Sequence, residues 1–83
     1  EYSPVAAMNR AYALSKVKGK AAAIEAAELL NLNGNLYYYM LMGDLYAEIA
    51  PLRASDELEK AYSLAKSIPG KAVILKSLAD LNS

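Results

Sequence analysis

The sequence contains no cysteine, no histidine, no tryptophan and no phenylalanine. Without cysteine there are no disulfides and no thiolate nucleophile. With histidine missing too, Ser-His and Cys-His pairs and the usual transition-metal ligand sets are excluded. Net charge is also lacking: nine Lys/Arg balance nine Asp/Glu, so no field of one sign advertises a nucleic-acid or anionic-membrane partner. No apolar run reaches the ~18 residues of a membrane span. The opening Glu1-Tyr2-Ser3-Pro4 lacks the basic and apolar regions of a signal peptide and reads as internal sequence. A piece of a longer, cytoplasmic protein is expected.

What is present is a chain of 83 residues, 55% hydrophobic and 22% charged. That composition argues against disorder, and the length allows one small domain near the lower limit for burying its own core. Apolar residues recur at helical spacing and no segment alternates as a strand would, which predicts an all-α fold.

Five helical segments are predicted, near residues 4–17, 20–31, 36–50, 55–67 and 70–81. Ser3 and Pro4 suit an N-cap and first helical position, followed by Val5, Met8, Ala11, Tyr12 and Val17 on one side. Gly19 breaks the pattern. An Ala-rich run to Leu30 follows, and Asn31-Leu32-Asn33-Gly34-Asn35 is a turn. The third segment is apolar nearly all round from Leu36 to Met42 and is expected to stop before Pro51. Ser55 or Asp56 is the expected cap of the fourth, whose stripe is Leu58, Ala61, Tyr62 and Ala65. Ile74, Leu75, Leu78 and Leu81 give the fifth its apolar face.

Several constellations invite a chemical reading. Glu25 with Glu28, and Asp44 with Glu48, place carboxylate pairs on single helix faces, as acid–base work requires. Such pairs are equally the ordinary furniture of a solvated face, which is the expected reading. Gly19-Lys20 and Gly70-Lys71 lack the glycine five positions earlier that a phosphate loop needs. Lys16, Lys18 and Lys20 read as a solvated turn. Tyr37, Tyr38 and Tyr39 could stack on bases, but no arginine accompanies them. Packing plus a protein-binding surface accounts for them better. No enzyme and no cofactor is expected.

Tyr39-x2-Met42-Gly43-x2-Tyr46, then Leu58-x3-Tyr62-x2-Ala65 and Pro69, resembles the tetratricopeptide pattern. The turn from Ile49 to Ser55 is about three residues longer than the pattern, and Pro69 comes one residue early. A fainter copy lies upstream at Ala11, Leu14, Ala23, Ala27 and Leu30. The resemblance implies two stacked antiparallel helix pairs plus a C-terminal capping helix, one domain over 1–83. It implies packing roles for Tyr39, Met42, Gly43, Tyr46, Leu58, Tyr62 and Ala65. The partner groove then falls on Tyr37, Met40, Asp44, Ala47 and Glu48, with Val5, Met8, Tyr12, Ser15 and Lys16 from the upstream copy. Apolar anchors rimmed by Asp44, Glu48 and Lys16 suit protein recognition. Uncovered apolar surface is expected near Tyr2, Val5 and Ala6, with self-association or lost stability of the isolated piece.

Three longer stretches carry a second resemblance: Ser3-Pro4-Val5-Ala6-Ala7-Met8-Asn9-Arg10-Ala11-Tyr12-Ala13-Leu14-Ser15-Lys16, Tyr38-Tyr39-x2-Met42-Gly43-Asp44-Leu45-Tyr46, and Ala61-Tyr62-Ser63-Leu64-Ala65-Lys66. They are similar to the C-terminal, tetratricopeptide-like extension of a bacterial group of extracytoplasmic-function sigma factors. The resemblance implies a regulatory contact domain in transcription initiation. Its partner would be the rest of the sigma factor, RNA polymerase or another regulator. No helix-turn-helix reader is identifiable, so no direct nucleic-acid contact is expected from these residues. A free-standing adaptor of the tetratricopeptide type is the alternative.

Overall fold

The computed structural model describes the backbone of residues 4–81 and the side chains of residues 6–81. Among them are five α-helices and no strand: α1 Pro4–Lys18, α2 Lys20–Glu28, α3 Leu36–Tyr46, α4 Pro51–Leu64 and α5 Ile68–Leu81. They pack as antiparallel pairs, α1 on α2 and α3 on α4, with α5 closing on α4. The all-α, helical-repeat-like fold expected from the sequence is the fold observed. Cα extents of 31 × 28 × 16 Å describe a slab about two helices thick. The odd-numbered helices α1, α3 and α5 border the grooves of one face, which we term the front.

Each connection has a local cause. A single residue, Gly19, reverses the chain between α1 and α2, at φ 95° and ψ 165°, a region closed to residues with a Cβ. The α2 helix ends at Glu28, earlier than expected. Its last amides turn to three-residue bonds, Leu30 N–H to Ala27 O and Asn31 N–H to Glu28 O, and Asn31 takes a left-handed conformation that asparagine tolerates. Asn35 then caps α3, its Oδ1 accepting from the amides of Tyr37 (2.9 Å) and Tyr38 (3.2 Å). The Gly34 amide donates to the Tyr39 hydroxyl at 2.9 Å, so a tyrosine from the first turn of α3 pins the loop before it.

The connection between the two pairs differs most from expectation. Helix α3 stops at Tyr46, and Ala47 to Ile49 form a tight turn in which Tyr46 O accepts from both Ile49 and Ala50. Helix α4 starts at Pro51, not at Ser55 or Asp56. Proline at the first helical position brings a preset φ and no amide needing a partner, and it forces Ala50 out of the helical region. The residues in excess of the repeat pattern therefore lengthen the helix and leave the loop short. Helix α5 likewise starts early, at Ile68, because Ser67 Oγ accepts from the Gly70 amide at 3.1 Å. Pro69 sits in that first turn, where its missing N–H costs nothing.

Two clusters of buried side chains form the core. The larger centres on Ala23, Ala27, Met42 and Leu45, with Met8 from α1 and Ala54 from α4. Ala23 and Ala27 are fully buried, so the small residues of α2 allow its neighbours to approach closely. The smaller cluster joins Leu58, Ala61 and Ala65 of α4 to Ile74 of α5. Gly43 lies at a close contact of α3 with α4. A Cβ placed on it would stand 2.6 Å from Leu58 Cγ and 2.7 Å from Leu58 Cδ2. Of the positions assigned to repeat packing, Met42, Gly43, Tyr46, Leu58 and Ala65 are buried, and Tyr39 and Tyr62 are half-buried.

Overpacking this crossing has a measurable consequence. Gly43→Leu should lower stability by about 1–3 kcal/mol. Leu58→Ala alone should cost about 2–5 kcal/mol through its cavity. Combined, the two should cost clearly less than their sum, because the second removes the atoms the first strikes. Chemical denaturation of the three variants checks this; strict additivity would mean that α3 and α4 do not meet at Gly43.

Candidate functional site

The candidate groove residues Tyr37, Met40 and Asp44 of α3, with Ala47 and Glu48 of the turn that follows it and Leu41 as an addition the sequence had not suggested, continue a single helical stripe. They recur at spacings of three and four, and the buried Tyr38, Met42, Leu45 and Tyr46 fill the opposite side. The stripe borders two adjacent grooves. Toward α1, a groove of ≈ 520 Å³ is lined by Met8, Asn9, Tyr12, Tyr37 and Leu41. Toward α5, a second of ≈ 310 Å³ is lined by Met40, Asp44 and Ala47 together with Leu58, Ser77, Asp80 and Leu81.

The structure thus brings together most of the residues assigned to the groove from sequence, with distinctions among them. Tyr37 is 62% exposed and Tyr12 43%, so two tyrosines stand open across the first groove. Met8 is buried at 6% exposure and forms floor rather than surface anchor, because α1 turns it into the main core. Met40 is half-buried against the smaller core cluster. Lys16 and Glu48 are exposed at the edge, and the Ser15 hydroxyl donates back to the Tyr12 carbonyl, as helix serines do. Val5, and Tyr2 of the expected uncovered patch, lie outside the described side chains, and Ala6 is half-buried.

Charge organises the rim. Lys20 at the start of α2 forms an ion pair with Glu48 beyond the end of α3. The hydrogen bond to Glu48 raises the Lys20 ammonium above its ordinary pKa, with Asp44 and Tyr12 adding smaller contributions. Lys20 in turn holds the Glu48 carboxyl below its ordinary value, and Lys16 assists. Both side chains are well solvated, so the pair contributes little to stability. It does fix one end of the front face, and the Lys16 ammonium lies over the Tyr12 ring, 5.0 Å from its centroid. Lys20 had read as one of three lysines solvating a turn. Its partner is 28 residues away, beyond the reach of local pattern.

The rear of α3 has a different character. Glu57 of α4 is buried, and Lys60 one turn on reaches it at 3.7 Å. Arg53 lies over the Tyr46 ring at 4.8 Å, and Lys60 over Tyr39 at 5.6 Å. Burial raises the Tyr38 phenol above its ordinary pKa, and Glu57 and then Glu28 push the same way. Burial also raises Tyr46, opposed by Arg53 and supported by Glu28 and Glu57. These phenols and carboxylates serve the packing of α3 on α2 and α4. The pairs Glu25 with Glu28 and Asp44 with Glu48 are exposed.

The contribution of α5 was missed from sequence. Treated as a cap, it was given an apolar face and no surface role, yet Ser77, Asp80 and Leu81 complete the second groove. Ser77 and Asp80 stand three apart and beside the buried Ile74 stripe, a spacing that could have pointed to them.

No protein-family model matches the chain, and no curated protein or solved structure matches it either. Among the described residues, no helix is long and apolar enough to cross a membrane.

The raised phenols fix a pH dependence. A tyrosine whose folded pKa exceeds its unfolded value near 10.0 favours the folded state fully below that value. That contribution is lost as pH rises through the folded pKa. Stability should therefore fall through the alkaline range above about pH 10, and Tyr38→Phe should flatten the fall. Melting temperatures of the two proteins from pH 8 to 11 provide the check; parallel curves would exclude a role for Tyr38.

Proposed function

We propose that this chain is a protein-interaction domain whose front face, on α1, α3 and α5, receives the partner. The observation that carries the reading is the open pair Tyr12 and Tyr37, facing one groove above Met8 and Leu41. Tyrosine gives large contact area with few torsions to freeze, and a groove with apolar floor and charged rim matches the anatomy of protein interfaces. Lys16, Lys20, Asp44 and Glu48 supply that rim.

The biological setting we infer is a bacterial extracytoplasmic-function sigma factor. Its support is the sequence resemblance, above all the opening Ser3-Pro4-Val5 to Asn9-Arg10-Ala11. In that setting the domain follows a promoter-reading half and acts in the cytoplasm. Its contact would be with that half, RNA polymerase or a regulator, and it would do no chemistry and read no bases.

Replacing Tyr12 and Tyr37 by alanine in the full-length sigma factor tests both parts. Truncated interface anchors cost about 1–4 kcal/mol each, so transcription from the factor's own promoter should fall at least tenfold. A folded double variant with full transcription but lost protein binding would favour the free-standing adaptor. Loss of neither would remove the front face from function.

A further inference from the structure

Helix α5 is apolar on two sides. Ile74, Leu78 and Leu81 pack on α4 in the smaller core cluster. Ile68, Ala72, Leu75 and Ala79, at spacings of four, three and four, form a second stripe. All four are exposed, Ile68 at 84% and Leu75 at 51%. From sequence Leu75 was grouped with the packed face, but the helix turns it about 100° away from Ile74, to the outer side. A helix that is apolar beyond one stripe has the pattern of one with neighbours on more than one side.

Lysines border the outer stripe. Lys71 stands one turn before Leu75 and Lys76 one turn after Ala72, on opposite flanks, and Lys66 precedes the helix. Lys71 lies over the Tyr62 ring, 5.5 Å from its centroid. Neither Lys66 nor Lys76 has an ion-pair partner among the described residues. The one acid of α5, Asp80, borders the front groove instead. We propose that the outer face of α5 binds an amphipathic helix of a partner protein, one whose apolar stripe is flanked by acidic side chains.

Charge and shape both select this occupant. Acidic flanks would meet Lys71 and Lys76 at the edges while the apolar stripes meet between them, as in paired amphipathic helices. Ala72 and Ala79 alternate with Ile68 and Leu75, which leaves hollows where a facing helix comes close between the larger side chains. A second copy of α5 would set lysine against lysine across the same contact. A lipid surface matches less well. Helices that lie on membranes bring Trp, Phe or Leu across a broad apolar face, whereas half of this stripe is alanine and α5 has no aromatic residue. None of the stripe residues lines the front grooves, so this contact is separate from the one proposed above and does not depend on it.

Fluorescence anisotropy with the full chain and labelled four-turn peptides tests the inference. One peptide carries a Leu and Ala stripe flanked by glutamates, a second has lysines in place of the glutamates, and a third has the acidic composition in scrambled order. The acidic peptide should saturate, gain helicity by circular dichroism and weaken as salt is raised, and the other two should not saturate. Leu75→Ser should weaken it about tenfold, in the range of a truncated interface anchor. Ala72→Leu should weaken it too, by filling a hollow. Lys76→Glu should weaken the acidic peptide and admit the lysine one, a reversal that no folding defect produces. All three positions are exposed, so melting temperatures should stay close to that of the unsubstituted chain. Failure of the acidic peptide to bind, equal binding of the acidic and scrambled peptides, or indifference to Leu75→Ser overturns the inference. So does self-association abolished by Leu75→Ser, which would make a second copy the occupant. Binding to phosphatidylcholine–phosphatidylserine vesicles that Leu75→Ser abolishes would overturn it in favour of a membrane.

Discussion

The closeness of α3 and α4 at Gly43 is the constraint on which the rest depends. Because position 43 has no side chain, Leu58 can lie against the α3 backbone. That contact sets how deeply the second helix of the pair is sunk, and so which side of α3 is left uncovered. With Tyr38, Met42, Leu45 and Tyr46 turned into the core, Tyr37, Asp44 and Glu48 have nowhere to go but outward. A side chain at 43 would push α4 away and loosen the seat that α4 provides for Ile74 of α5. The second groove, built from α3, α4 and α5 together, would open with it.

A domain this small compensates for limited core by economy of connection. One residue links α1 to α2, and Pro51 lets α4 begin where a loop had been expected. Tyr39 shows the same economy: its ring packs 5.5 Å from that of Tyr38, Lys60 lies over it, and its hydroxyl holds the Gly34 turn. Short closures cost little chain entropy, and aromatic rings that also tie loops add order without adding residues.

Much of this was legible in the sequence, and what was not has a physical reason. Helical spacing and the Gly and Pro punctuation revealed five helices and their order. The motif through Tyr39 and Gly43 marked Met42, Gly43 and Tyr46 as inward-facing, but not Tyr38 or Leu45, which are buried more deeply than Tyr39. Boundaries were less legible where a cap competes with a proline. Ser55 and Asp56 have the chemistry of caps, but Pro51 four residues earlier already supplies a helix start, and a started helix continues. The exposure of Met8 was misjudged because position within a repeat does not reveal how far a neighbouring helix covers it. The Lys20–Glu48 pair and the Asp44 and Asp80 groove were invisible for a simpler reason. Each joins residues from different helices, and only the packed structure places them together.

The central claim is that α3 turns its rear to the core and keeps its front for a partner. Hydroxyl-radical footprinting of the tyrosines addresses it directly, comparing the isolated chain with the assembly proposed for it, a full-length sigma factor on RNA polymerase. The account expects Tyr12 and Tyr37 to be modified readily in the isolated chain and protected in the assembly, with Tyr38 slow in both. Equal modification of Tyr12 and Tyr37 in the two states would contradict it.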